Sequence, residues 1–388
     1  MILEKKGYAY NDLTIIPAKI SFVNSRSECN PFINDNMLPI FTAPMASVVS
    51  ENNYQTFLDN HITPIIPRNI DIKNRILTMN EQLWVALSLK EFSNLFIDNY
   101  KDRIDEVGHA YYVCIDIANG HMKLLYELCF NAKKLAIQNN YKLYIMTGNI
   151  ANPETYKWIC DFNDMCKVKV IDYIRVGIGS GCSCITSSNT SIHMPQATLI
   201  DECNKYKKQQ CEEDLRYNEV CPYIIADGGI RNYSDIIKAL ALGADYVMIG
   251  SLFAQCIESA GNKYFNDGSE FYNNNGGITE SLHVDANYEW HSIIECSQKE
   301  INIGKLNVKF FGMASADGQR SISGKKTKTA EGITKYLPVK YTLKGWTENM
   351  ISYLRSAMSY TNHINIKDFI GSPTLIVNSI SEIHAVNK

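Results

Sequence analysis

The stretch Ile171-Asp172-Tyr173-Ile174-Arg175-Val176 runs directly into Gly177-Ile178-Gly179-Ser180-Gly181-Cys182-Ser183-Cys184-Ile185-Thr186. A short apolar, β-branched run bounded by glycine reads as a buried parallel strand. The glycines that follow permit backbone turns that other residues resist, and such a turn can present amides or carbonyls to a ligand. A cysteine on that turn is a candidate nucleophile. On composition alone the same turn reads equally as a glycine-rich loop with incidental thiols. It does not meet the dinucleotide-binding fingerprint.

Seven similar runs lie outward from this one: Leu38–Thr42, Thr63–Ile66, Leu83–Leu87, Tyr111–Ile115, Lys142–Met146, Tyr223–Ala226 and Asp245–Ile249. Helix-compatible stretches separate most of them, clearest at Met122–Gln138, Tyr233–Ala241 and Leu252–Ser259, with a later one at Glu348–Tyr360. Eight β segments alternating with helices predict an α/β (β/α)8 barrel; a doubly wound open sheet is the alternative. Unusual residues follow the strand ends: Ala43-Pro44-Met45, Pro67-Arg68-Asn69, Asp116, Gly148-Asn149, Asp227-Gly228-Gly229 and Gly250-Ser251. Barrel enzymes build their sites on that face, so the clustering favours the barrel.

The whole of 1–388 reads as one catalytic domain. Asn204 to Glu219 and Gly261 to Gly304 read as surface insertions, and 315–330, rich in Gly, Ser, Lys and Thr, as a mobile flap loop. A net charge of -3 disfavours a nucleic-acid surface. The opening residues show no signal-peptide apolar region and no stretch approaches a membrane span, so a cytoplasmic protein is expected. The 12 cysteines contain no CxxC, and free thiols in a reducing compartment are the plain reading.

The loop resembles the catalytic loop shared by IMP dehydrogenases and GMP reductases, roughly Gly-Ile-Gly-Pro-Gly-x-x-Cys-x-Thr, and the match falls on Cys184 rather than Cys182. Asn24-Ser25-Arg26-Ser27-Glu28, Ala43-Pro44-Met45, Ile225 to Arg231 and Gly243 to Ser251 are similarly close to that family, in order along nearly the whole chain. Three features resemble the reductase branch. Asp116-Ile117-Ala118-Asn119-Gly120 has the reductase form, the regulatory CBS modules common in dehydrogenases are absent, and the short flap has no Arg-Tyr pair because Ser321 follows Arg320.

The resemblance implies a GMP reductase chemistry with GMP and IMP as ligands, NADPH as cofactor and a homotetramer. Cys184, Thr186 and Glu331 would be catalytic. Met45, Asp227, Gly228, Gly229, Gly250, Ser251, Gly312, Met313, Ala314 and Gly332 would hold the nucleotide. Asp227 suits ribose hydroxyls, and the loops after the last two strands suit phosphate. Arg68, Asp116, Ile117, Ala118, Gly148 and Asn149 would face the nicotinamide, with Ser25, Arg26, Ser356, Ser359 and Tyr360 at the adenosine end. The resemblance also implies a K+ site on the carbonyls of Gly179, Gly181 and Cys184; Ser187, in place of a longer polar residue, argues against it. Ser180 stands for the usual proline, Thr190-Ser191-Ile192-His193 for Thr-Gly-x-Gly, and Asn362-His363 for small residues. Three alternatives stay open: an IMP dehydrogenase, a catalytically inactive purine-nucleotide-binding protein, and a flavin-dependent barrel oxidoreductase.

Overall fold

The computed structural model describes residues 6–34, 36–99, 110–271, 279–284, 290–296, 299–325 and 329–378. The eight expected strands form: β1 Ile40–Thr42, β2 Ile65–Ile66, β3 Trp84–Leu87, β4 Ala110–Ile115, β5 Lys142–Ile150, β6 Tyr173–Val176, β7 Tyr223–Asp227 and β8 Tyr246–Ile249. All pair in parallel, in the order β1-β8-β7-β6-β5-β4-β3-β2. A parallel bridge between Phe41 and Thr63 joins the two ends, so the sheet closes and the open-sheet alternative falls.

The closed barrel explains why the strands show no polar alternation. Phe41, Trp84, Cys114, Met146, Ile225 and Met248 fill the interior. Their neighbours Ile40, Val85, Val113, Ile145, Ile224 and Val247 pack outward against helices. Both faces are dry, so both must be apolar. Aromatic rings fill part of that interior, with Trp84 edge-on to Tyr173 at 5.0 Å and Phe41 tilted against Tyr246 at 5.1 Å. The barrel is therefore a packed core, and ligands are confined to its rim.

Helices α1 Tyr54–Asp59, α2 Ile72–Thr78, α3 Leu89–Ser93, α4 Lys123–Gln138, α5 Pro153–Cys166, α6 Gln196–Glu213, α7 Tyr233–Ala241 and α8 Leu343–Tyr360 surround it. Local chemistry sets their limits. Asn152 caps α5 by accepting from the Glu154 amide, with proline at the first turn, and Lys167 ends it in the left-handed conformation. Thr342 caps α8, which starts five residues before the expected Glu348, and its buried face is Trp346, Met350, Leu354 and Met358. The helix expected over Leu252–Ser259 is only one turn, Ser251–Ala254. The chain leaves it because Cys256 is drawn into a bridge with Tyr341.

Two expected surface segments turn out differently. Asn204–Glu213 is the second half of α6, not an excursion from it. Asn204 is buried, and its amide fills the space above Gly243, whose φ is +107°. A Cβ on Gly243 would sit 2.0 Å from Asn204 Cγ. Gly243→Ala should therefore lower stability by about 2 kcal/mol or more, through strain and overpacking together, read as an earlier urea midpoint. The flap expected as a loop carries a helix, Ala316–Ser323, capped by Ser315 Oγ and ended by Gly324 at φ +72°. Positions 326–328 of that segment lie outside the described residues.

Between β8 and α8 the chain builds an antiparallel sheet in the order Glu270–Phe271, Lys263–Phe265, Leu306–Phe311 and Thr334–Pro338. Ile257, Ile303, Leu306, Val308 and Val339 form its apolar underside. Thr279–Val284, Trp290–Cys296 and Lys299–Asn302 pair as a separate sheet. The expected insertion at Gly261–Gly304 thus contains strands, and its positions 272–278, 285–289 and 297–298 lie outside the described residues. Among the described residues, no helix is long and apolar enough to cross a membrane.

Candidate functional site

The loop after β6 is shaped by what surrounds it. Gly177, at φ +130°, lies so close to the Asp227 carbonyl that an added Cβ would meet it at 2.3 Å. Beyond it, the Cys184 amide donates to the Gly181 carbonyl at 3.1 Å, closing a turn that carries Cys184 to the pocket. The far side of the loop is laced to the chain after the flap. The Ile185 amide donates to the Glu331 carbonyl at 3.1 Å and the Ile333 amide to the Ser183 carbonyl at 2.9 Å. Strands Leu306–Phe311 and Thr334–Pro338 form a ribbon with the flap helix at its tip, and the lacing lays Gly312–Ala314 and Glu331–Gly332 over the barrel mouth.

This brings three reactive groups into a row. Cys184 Sγ lies 3.3 Å from Thr186 Oγ1, and that hydroxyl lies 3.4 Å from Glu331 Oε2. A thiol, a hydroxyl and a carboxylate in sequence can pass a proton between the sulfur side and the carboxylate. The other interior thiol near the site, Cys114, is inert by contrast: burial pushes it up to about 12. Its sulfur lies 3.9 Å beneath the Arg175 guanidinium.

The pocket floor is a chain of alternating charges. Arg68 Nε donates to Asp116 Oδ2 at 3.1 Å, and Arg175 Nη1 reaches Asp116 Oδ1 at 3.1 Å. Arg175 Nη2 lies 2.8 Å from Asp227 Oδ2, which also accepts from Asn149 Nδ2 at 2.7 Å. Burial pushes the Asp116 carboxyl up, but the Arg68 and Arg175 guanidinium groups outweigh it and hold the group below the usual carboxylate range. All these bonds to Asp227 are made at Oδ2.

A pocket of about 640 Å³ joins these parts. Its walls include Cys184, Thr186 and Glu331, the expected nucleotide contacts Met45, Asp227, Gly228, Gly312, Met313, Ala314 and Gly332, and the expected cofactor contacts Arg68, Asp116, Ile117, Ala118 and Asn149. Gly229, Gly250, Ser251 and Gly148 lie off the wall. Gly250 stands behind Met45, and Gly229 donates its amide to the Ser180 carbonyl at 3.0 Å. Ser25, Arg26, Ser356, Ser359 and Tyr360 gather elsewhere: Arg26 Nη1 reaches Ser356 Oγ at 3.4 Å, and the N-terminal segment lies along the end of α8. They form a cluster of their own and do not line the pocket.

The departures in the loop have local consequences. Ser180, in place of the usual proline, has its hydroxyl 3.4 Å from the Asp227 carbonyl and from Gln196. Ser191 takes a left-handed backbone, φ 61°, where glycine would cost less, and His193 closes on the Ile178 carbonyl at 2.9 Å. The Gly179 carbonyl accepts from Ser187 Oγ at 2.9 Å and the Gly181 carbonyl from the Cys184 amide. Among the described residues, no group of three or more His, Cys, Asp or Glu is arranged to hold a metal.

Sequence reading missed Arg175, Ser183, Gln319 and the flap-helix residues Ile322 and Ser323, all on the pocket wall. Arg175 had a signal: it is a charge inside an apolar strand, and such a charge points either to the helices or into the barrel. The flap residues had none, because nothing in their composition announces a helix.

A family model described as "IMP dehydrogenase / GMP reductase domain" matches residues 7–384. Similar curated proteins include GMP reductases of Staphylococcus epidermidis (30% identical, 71% of this chain and 79% of the relative) and Streptococcus suis (30%, 72% and 80%). The GMP reductase of Helicobacter pylori is 30% identical over 69% of this chain and 79% of its own length.

Proposed function

Since the chain belongs to the IMP dehydrogenase / GMP reductase family, we propose that it is a reductase that converts GMP to IMP and ammonia with NADPH. The observation that carries this reading is the row Cys184–Thr186–Glu331 at 3.3 and 3.4 Å. The thiolate of Cys184 attacks C2 of the guanine ring, making a carbon–sulfur bond and splitting one difficult substitution into two steps. The 2-amino group leaves as ammonia and needs a proton. Thr186 Oγ1, backed by Glu331, is the donor within reach, and departure leaves the purine linked to Cys184. Asp227 Oδ1 accepts from the ribose, and Gly228 lets the nucleotide lie against the backbone.

The nicotinamide cofactor supplies the hydride that replaces the sulfur at C2. The residues present fit it: Ile117 and Ala118 offer an apolar wall, and Arg68 and Asn149 add polar groups. The Arg26–Ser356 cluster is off the pocket wall, so it suits the adenosine end only when a neighbouring copy brings it there. A homotetramer would do so, and sedimentation equilibrium tests it.

One contact favours the reductase over the dehydrogenase. Hydrolysis by a dehydrogenase needs a base on the flap to activate water. Arg320 is instead paired to Asp317 at 3.0 Å, and Asp317 also accepts from Thr334 Oγ1 at 2.7 Å. The direct test follows NADPH absorbance with GMP while assaying ammonia in the same tube, and one ammonia per NADPH consumed is expected. NADH production from IMP and NAD, with no reaction of GMP, would assign the dehydrogenase instead. Glu331→Gln keeps the shape but weakens the proton relay, and its kcat with GMP should fall by ~10²–10⁴-fold with KM little changed.

A further inference from the structure

Cys182 has no part in the mechanism above, yet its thiol is placed for chemistry. Among the cysteines whose side chains are described it is the exposed one; the others of that set are buried or half-buried. It stands two residues before Cys184 in the turn closed by the Cys184 amide and the Gly181 carbonyl. Lys335, just beyond the flap, donates to the Cys182 carbonyl at 2.8 Å and has its Nζ 3.8 Å from Cys182 Sγ. Cys182 does not line the pocket, whereas Cys184 does. Two residues span at most roughly 7 Å when fully extended. The turn shortens that into the ~4.4–6.8 Å range of Cα atoms joined by a disulfide.

We propose that Cys182 is a resolving thiol for Cys184: after a peroxide oxidises Cys184 to its sulfenic acid, Cys182 closes a Cys182–Cys184 disulfide. In the first step the Cys184 sulfur attacks a peroxide oxygen, the O–O bond breaks, and hydroxide leaves. In the second, the Cys182 sulfur attacks the Cys184 sulfur and the S–O bond breaks, releasing a second hydroxide that leaves as water. The two thiols lose two electrons in all, and hydrogen peroxide, the oxidant, becomes two waters. Exchange with an external thiol reverses the bond. The disulfide holds Cys184 short of the sulfinic acid, which thiols do not reduce. The loop stays laced to Glu331 and Ile333 through backbone bonds that the link does not use.

Only the consequence for turnover rests on the GMP reductase reading; the sulfur chemistry does not. The test exposes the full chain, without nucleotide, to hydrogen peroxide and weighs the tryptic peptide spanning Val176 to Lys205. The wild-type peptide should lose two hydrogens, with fragmentation placing the link between Cys182 and Cys184 and dithiothreitol restoring the original mass. In Cys182→Ser, dimedone should trap a sulfenic acid at Cys184, longer exposure should give the sulfinic acid, and dithiothreitol should restore no turnover. Cys182→Ser before oxidation should turn over like the wild type. A wild-type Cys184 sulfinic acid beside a free Cys182 thiol overturns the proposal. So does a link to Cys203, or a Cys182→Ser protein that recovers as fully as the wild type. If the reductase reading fails, the mass results stand unchanged and only the turnover readout is lost.

Discussion

Cys184→Ala should lower kcat with GMP by roughly 10⁴-fold or more, with nucleotide binding retained. The argument is one of roles. Met45, Asp227 and the Gly312–Ala314 segment line the pocket independently of the thiol, so the free energy of binding is largely untouched. On the proposed mechanism the covalent route has no substitute, because Thr186 and Glu331, lying beyond the sulfur, would carry protons and not the purine. Two measurements separate these effects: turnover by NADPH absorbance, and GMP affinity by calorimetry. Turnover within tenfold of wild type would sink the nucleophile assignment. Loss of affinity together with turnover would mean that the substitution had collapsed the loop.

Arg175→Met should cost about 3–5 kcal/mol of stability, a large part of what an ordinary domain has. The methionine fills the space but leaves Asp116 and Asp227 facing each other at the top of the barrel, where Arg175 now bridges them at 3.1 and 2.8 Å. Arg175→Lys should recover only part of this, since a point charge cannot serve two carboxylates as a planar fork does. The double change Arg175→Met with Asp116→Asn should recover more than the sum of the single effects, and urea unfolding reads all of them. The pH dependence has a definite sign. Arg68 and Arg175 hold the Asp116 carboxyl low in the folded state. Its contribution is therefore complete above the unfolded value near ~3.9 and is lost as pH falls through the lower folded value. Removing Arg175 raises the folded value toward or above the unfolded one, so the variant loses this acid sensitivity and its stability deficit relative to the wild type should narrow as pH falls.

Much of this was legible in the chain because strands buried on both faces leave an unmistakable record. All eight barrel strands fell on the apolar runs, with limits off by a residue or two except for β5, which runs four residues past the expected Met146 to Ile150. The shortest is β2, reduced to Ile65–Ile66, because Thr63 contributes a single bridge to Phe41 rather than a full ladder. Cys184 and Asp227 were likewise readable, since each sits on a glycine-flanked turn after a strand. The flap was misread because a Gly, Ser and Lys composition describes a loop and a short capped helix equally well.

The spacing of the apolar runs encodes the barrel, and the residues at the strand ends supply the groups on its rim. Which of those groups meet depends on the folded chain. Thr186 and Glu331 are 145 positions apart, and they touch because a ribbon folded from the segment between β8 and α8 is laced to the β6 loop. Arg175 became the centre of the pocket floor because closing the sheet turns that side chain inward, between two acids from other strands. Arg26 and Ser356 were drawn together yet left off the pocket wall, since α8 lies against the outside of the barrel. Local sequence carries burial and turn preferences at short range; contacts between distant segments follow from barrel closure, which no local pattern encodes.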